Sequence, residues 1–305
     1  MKILKLLTQK DFDYNKAVFE DKELINSRLD KYLEVRYPHL IWESIRYSVL
    51  ADGKRIRPLL LLESARICGG DKENAIPTAC ALEMLHAQSL IHDDLPCMDN
   101  DDYRRGKLTN HKVYGEAVAV LAGDALLSYA PKVIIKHTPD KVDKKILIQI
   151  LEEFLRAAGP MGIVGGQVVD MESEKKEIDF ATFNYILTHK TGELFKFALR
   201  AGAMLSEAPE ELLSALSFYG KTIGYAFQIA DDIIDITGTF ETIGKTPGKD
   251  QSSKKNTHVS LYGLEESKKE LEILCVNAQQ ELVKNDIKSP LLMSIAEQIV
   301  IKVLK

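Results

Sequence analysis

The chain has 305 residues, 45% of them hydrophobic and 28% charged, with a formal net charge of −5. Those proportions suit a globular protein with a large core, and the acidic balance argues against a nucleic-acid partner, whose binders are normally basic. The four cysteines, Cys68, Cys80, Cys97 and Cys275, form no C-x-x-C pair, so reduced thiols in a cytoplasmic protein are expected rather than a zinc site or a disulfide framework.

The N-terminal stretch MKILKLLTQKDFDYNK is too charged for a signal peptide or an anchor. No window reaches the ~18 consecutive apolar residues of a membrane span, so the protein is expected not to be membrane-embedded. Helical periodicity begins in earnest at NAIPTACALEMLHAQSLIHDDL, where Ala79, Leu82, Glu83, Leu85, His86, Ser89 and Leu90 recur at three- and four-residue spacing. GEAVAVLAGDALLSYAPKVI follows, rich in strong helix formers. Residues 143–159, 183–205, 210–235 and 264–285 show the same pattern. Alternating strands are absent, as are Asn-Gly and Asp-Gly hairpin turns between them. The expectation is an all-α bundle of about ten or more helices, without a linker that would divide residues 1–305 into two domains. One long segment, TGTFETIGKTPGKDQSSKKNTH from Thr237 to His258, carries three glycines and four lysines; loops of that length usually have a function or lack order.

Two acidic knots stand out. LIHDDLPCMDNDDYRRGK gathers Asp93, Asp94, Asp99, Asp101 and Asp102 before Arg104 and Arg105. FQIADDIIDITG places Asp231, Asp232 and Asp235 at helical spacing on one face. Pro96 cannot continue a helix, so Asp93 and Asp94 are expected to end one, with the chain bending to bring Asp99 back to them. The residues before each pair are apolar nearly all round, and bare carboxylates are not left in buried surroundings. A hard cation with oxygen ligands resolves the conflict. An EF-hand is excluded, because Arg104 and Asn110 stand where its glycine and glutamate belong. A P-loop is excluded by its spacer and by the helix that precedes it. Cations accompany the acids: Lys54, Arg55 and Arg57 in GKRIRP, Arg104 and Arg105 in YRRGK, Lys190 in HKTGE, and Lys245, Lys249, Lys254 and Lys255 downstream. Aspartates with Mg²⁺, and Arg and Lys without it, together describe a site for diphosphates. Lys249 and Lys255 are left open between solvent and substrate.

GKRIRP, HDDLPCMDNDDYRRGK, HKTG, GYAFQIADDIID and GKTPGKD, in this order, resemble the trans-isoprenyl diphosphate synthases, short-chain polyprenyl synthetases of the bacterial farnesyl or geranylgeranyl type. The resemblance runs from about residue 51 to 258. It implies the isoprenoid synthase fold, mostly antiparallel helices around a deep central cavity, as a cytoplasmic homodimer. It also implies Mg²⁺, up to about three ions per site with Mn²⁺ as a substitute, and two small-molecule diphosphate substrates. Asp93, Asp94 and Asp99 would hold Mg²⁺ on one wall, and Asp231, Asp232 and Asp235 on the other. Arg104, Lys190, Lys245 and Lys254 would bind the allylic diphosphate. Lys54, Arg57, His86 and Arg105 would bind isopentenyl diphosphate. Thr191 and Gln228 would line the space where positive charge develops; His92 has no such role and is expected to be structural.

The product pocket is expected about one turn before Asp93, at Gln88 and Ser89, with Leu85 as its floor. Farnesyl synthases often carry a large aromatic there, and this chain does not. The insertion Pro96-Cys97 favours a short product, so farnesyl diphosphate is expected, with geranylgeranyl diphosphate as the alternative. A terpene cyclase would need neither the Lys54, Arg57 and Arg105 set nor a second full aspartate motif. A non-catalytic subunit of a two-chain synthase should have lost aspartates that this chain keeps.

Overall fold

The structure, a computed structural model, describes residues 12–238 and 255–304. Helices dominate it: α1 (Tyr14–Tyr32), α2 (His39–Val49), α3 (Ile56–Ile67), α4 (Lys72–Asp93), α5 (Asn110–Tyr114), α6 (Glu116–His137), α7 (Lys144–Ala158), α8 (Ile163–Ser173), α9 (Phe180–Ile186), α10 (Glu193–Leu205), α11 (Glu210–Thr237), α12 (His258–Tyr262), α13 (Leu264–Lys284) and α14 (Pro290–Leu304). Aspartates start many of them. Asp13 accepts a hydrogen bond from the Lys16 amide at 3.0 Å, Asp143 from Lys145 at 2.8 Å and Asp179 from Thr182 at 2.8 Å, each satisfying an amide that the first helical turn leaves without a partner.

Burial explains the all-round apolar character of α4. It packs against α3 on one side and α6 on another, while α10 lies between α3 and α11, and α11 between α10 and α13. The buried residues form one contiguous core from Ile25 of α1 to Val300 of α14. Its largest fully buried side chain, Tyr219, donates its hydroxyl to the Leu292 carbonyl at 2.6 Å and ties α11 to α14. A buried hydroxyl left without that acceptor would cost stability. All four cysteines are unpaired.

Two details depart from the sequence expectation. Tyr103–Arg104 and Lys107–Leu108 pair as a minimal antiparallel hairpin. Its turn is Arg105-Gly106, both at positive φ (56° and 74°), the conformation of a type I′ turn. An arginine in the left-handed region replaces the Asn-Gly or Asp-Gly signal, so the hairpin was not legible in residue types. The stretch 183–205, one continuous helix by its spacing, is instead α9, a wide π-helical turn over Leu187–Gly192, and α10. Such turns are frequent at functional sites.

The helix α6 is long and apolar enough to cross a membrane by length and composition alone. Its inner face is core, including Ala119, Ala122, Leu126 and Ala130; Val120, Leu121, Leu127 and Ile135 are exposed.

Candidate active site

A cavity of about 1430 Å³ opens between α3, α4, α8, the π-helical turn, α11 and α14. Asp93 and Asp99 line it from one side, and Asp231 and Asp232 from α11. The two acidic knots therefore share one hollow.

The first knot is built by a helix end. Asp94 caps α4, its amide donating to the Leu90 carbonyl at 3.1 Å. The chain then turns back through Pro96. The Asp99 amide donates to the Asp93 carbonyl at 2.8 Å, and the Asp101 amide to the Asp94 carbonyl at 3.2 Å. That return sets Asp99 beside Asp93. Burial pushes the Asp93 carboxyl above its usual range, Lys190 opposes the shift, and Asp99 adds to it. Among the described residues, no hydrogen bond or ion pair reaches the Asp93 side chain. Burial would also raise Asp99, but Lys255, Lys190 and Arg104 outweigh it and hold the carboxyl low.

Asp94 is arranged differently from its neighbours. It does not line the cavity; its Oδ1 accepts from Arg104 Nε at 2.9 Å, and Arg104 also reaches Asp101 at 3.2 Å. Burial pushes Asp94 up to about 6 in spite of that partner. Asp94 thus faces a guanidinium where the sequence expectation put a metal ligand. The aspartate that follows directly on another leaves the helix in a different direction, which spacing does not show.

On the opposite wall, the side chains link in series. The Thr191 hydroxyl donates to Gln228 Oε1 at 2.8 Å, and Gln228 Nε2 donates to Asp232 Oδ1 at 2.9 Å. The His258 amide donates to Asp232 Oδ2 at 2.8 Å. Asp235 is buried at 2% exposure and is not part of the cavity lining.

Cations surround both walls. Lys54, Arg57, His86, Arg104, Arg105 and Lys190 all line the cavity. The Arg57 guanidinium stands 4.7 Å from the Phe195 ring centre, and its buried Nε has no hydrogen-bond partner among the described residues. Burial brings Arg57 down to about 10. Burial, then the nearby arginines, keep His86 far below its ordinary value, so its imidazole is neutral at pH 7. Lys54 is brought down to about 8, first by burial and then by the adjacent Lys302 ammonium. Lys245 and Lys254 lie outside the described residues, as does Lys249. Lys255 is described, and its ammonium donates to Asp99 Oδ1 at 2.9 Å.

Residues that spacing did not disclose also take part. Lys190 donates to Asp170 Oδ2 at 2.6 Å. Gln167 and Asp170 of α8 line the cavity, as does Lys302 of α14. Gln167 and Asp170 stand three apart in GGQVVD, a polar pair on one face of an apolar helix, and that was the available signal. Lys302 gave none, being one of many lysines near the chain end.

The pocket residues are split. Gln88 and Ser89 line the cavity, but Leu85 has 0% exposure and lies in the core. His92 also lines the cavity. Gln88 Nε2 and His92 Nδ1 are 3.1 Å apart, and His92 Nε2 is 3.1 Å from the Val120 carbonyl oxygen. A Cβ on Gly123 would stand 1.9 Å from His92 Nε2, so only glycine admits the ring between α4 and α6.

Among the described residues, no three His, Cys, Asp or Glu side chains cluster closely enough to hold a metal ion alone. Mg²⁺ needs no such cluster, taking one or two carboxylates and completing its shell with water and substrate phosphate oxygens. The donors here fit it: oxygen ligands, and a half-buried Asp93 carboxylate on the cavity wall with no bonded partner among the described residues.

Paired aspartate walls ringed by arginine and lysine lead to a comparison with known proteins, and a family model for polyprenyl synthetase matches residues 38–292. The chain belongs to the polyprenyl synthetase family. Dimethylallyltranstransferase of Fischerella ambigua is 47% identical over 295 residues, covering 96% of this chain and 85% of the relative. Geranylgeranyl diphosphate synthase of Cyanophora paradoxa is 45% identical over 293 residues (96% and 97% coverage). Farnesyl diphosphate synthase of Geobacillus stearothermophilus is 43% identical over 279 residues (91% and 94%). Among solved structures, a geranyltransferase from Helicobacter pylori, complexed with magnesium and isoprenyl diphosphate, superposes with a TM-score of 0.82 at 30% identity, covering 97% of this chain and 99% of that one. This polyprenyl synthetase therefore shares its all-α fold with isoprenyl diphosphate enzymes.

Proposed function

We propose that this polyprenyl synthetase is a trans-prenyltransferase that condenses isopentenyl diphosphate with dimethylallyl or geranyl diphosphate and makes farnesyl diphosphate. The observation that carries the reading is one cavity with aspartates on two walls and lysine, arginine and histidine side chains, among them Lys54, Arg57, His86, Arg104, Arg105 and Lys190, between them. On this reading Asp93 and Asp99, with Asp231 and Asp232 opposite, hold Mg²⁺ against the allylic diphosphate. Bound there, Mg²⁺ supplies charge stabilisation to the departing diphosphate.

The protein's own groups do the rest. Lys190, Arg104 and Lys255 donate to the allylic diphosphate and stabilise its growing charge as the C–O bond ionises. Asp170 holds Lys190 in place, and Asp94 holds Arg104. Lys54, Arg57, Arg105 and the neutral His86 receive the diphosphate of isopentenyl diphosphate and set its double bond against the carbocation. The new C–C bond forms, and the released diphosphate takes the proton that leaves. The oxygens of Thr191 and Gln228 face the positive charge. Lys245 and Lys254 keep their proposed contacts to the allylic diphosphate, and Asp235 its place near the second Mg²⁺. The chamber must exclude water, which would otherwise capture the cation as an alcohol.

Gln88 and His92 give the cavity wall a polar, hydrogen-bonded patch where the prenyl tail would lengthen, which supports a short product. Geranylgeranyl diphosphate is the second reading, because no aromatic side chain closes that wall at Gln88. The exposed face of α6 supports a homodimer, and the four free thiols support a cytoplasmic enzyme; light scattering reads the first directly. Incubation with isopentenyl diphosphate, each allylic primer in turn and Mg²⁺, with products resolved by chromatography, tests the whole reading. A fifteen-carbon diphosphate is expected, and isopentenyl diphosphate left unconsumed with every primer would overturn it.

A further inference from the structure

Glu83 lies on α4, one turn before His86, at 2% exposure. Its Oε1 accepts a hydrogen bond from Arg55 Nη1 at 2.6 Å and stands 3.9 Å from Arg105 Nη2. The two arginines it faces are in different situations. Arg55 is spent on the protein: its Nε donates to Asn26 Oδ1 at 2.9 Å, and its Nη2 to the Ala51 carbonyl at 2.9 Å. Both arginines line the cavity, but among the described residues no hydrogen bond holds Arg105; 3.9 Å is too long for one, so Glu83 attracts its guanidinium without occupying its donors. A Cβ on Gly53 would stand 2.8 Å from Arg105 Cζ and Nη1, so the guanidinium lies directly on the Gly53 backbone. The crowding makes an anion necessary. Arg55 and Arg104 both repel the Arg105 charge, and Glu83 is the leading attraction that opposes them. A long side chain among like charges would otherwise swing to water.

We infer that Glu83 is a positioning residue: its buried carboxylate, together with the seat at Gly53, holds the Arg105 guanidinium in the wall with its donors turned to an incoming diphosphate. The inference rests on the assignment of Arg105 to isopentenyl diphosphate. It adds a residue that lines the same cavity yet acts on the diphosphate through Arg105.

The test is steady-state kinetics with each substrate varied separately. Glu83→Gln keeps the shape and can still accept from Arg55, but removes the charge. The KM for isopentenyl diphosphate is expected to rise about tenfold or more, the loss of one interaction with a charged group. The KM for the allylic substrate and kcat should stay within about twofold. Gly53→Ala, which displaces the Arg105 guanidinium and leaves the buried Glu83–Arg55 pair in place, should raise the same KM while leaving the melting temperature near wild type. The double variant Arg55→Gln/Glu83→Gln should regain stability lost in Glu83→Gln and keep the high KM. An unchanged KM in Gly53→Ala, an equal rise in both KM values in Glu83→Gln, or a restored KM in the double variant would overturn the inference. Wild-type protein that fails to consume isopentenyl diphosphate counts against the proposed function instead.

Discussion

Asp94 and Asp99 on one acidic wall and Asp232 on the other meet different kinds of partner among the described residues. Both sit in the last turns of long helices, where the carbonyl ends already carry partial negative charge and disfavour acids. On the α4 side, the described partners are cations: Arg104 on Asp94 and Lys255 on Asp99. On the α11 side, the described partners of Asp232 are a side-chain amide and a backbone amide. The cations of the first wall are those proposed for the substrate, so wall and diphosphate compete for them. The two amide donors fix the Asp232 carboxylate without entering that competition. The same residue type therefore meets a guanidinium and an ammonium at Asp94 and Asp99, and amide donors at Asp232.

The largest effect should come from removing either wall. Asp93→Ala or Asp231→Ala is expected to lower turnover about 10²–10³-fold, the scale of losing a preorganised electrostatic group, with the melting curve retained. Wild-type rates in one variant only would reduce the two walls to one. Asp94→Asn should act more gently. It releases Arg104 rather than a metal contact, and so should raise the KM for the allylic substrate about tenfold with little change for isopentenyl diphosphate. A collapse of kcat in Asp94→Asn, matching that of Asp93→Ala, would return Asp94 to the ligand set.

A pH experiment sharpens the cationic side. Lys54 is depressed from its ordinary value to about 8, so it loses its charge as pH rises through that value. kcat/KM for isopentenyl diphosphate, which reports the free enzyme, should fall above about pH 8. Lys302→Met removes the adjacent ammonium and should move that fall to higher pH; an unmoved profile would separate Lys302 from Lys54. The smallest effect on rate, and the clearest on outcome, belongs to Gln88. Gln88→Tyr should shorten the product and Gln88→Ala should lengthen it, as read by chromatography. The same product from both would place the length control elsewhere, for example at the His92 and Gly123 contact.

Much of this was legible before any coordinates. Helical spacing and an apolar context singled out the aspartates that line one cavity, and Pro96 marked the bend that returns Asp99 to Asp93. Other residues could not be found that way. Asp170 and Lys190 meet across twenty residues because a π-helical turn, indistinguishable from helix in its periodicity, rotates Lys190 towards α8. Glu83 read as one more position on a helix face, since its partners Arg55 and Arg105 come from a helix start and a hairpin turn. Leu85 fits the helical spacing of a pocket floor, yet packing assigns it to the core.

By itself the sequence determined the helical class, the two sets of acids and the order of the cationic motifs, because period, proline and residue chemistry act over a few neighbouring residues. The tertiary structure alone decided which acid lines the cavity and which faces an arginine, and which arginine is spent on the protein. Those choices depend on burial and on charges brought together from distant segments, and local spacing carries no record of either.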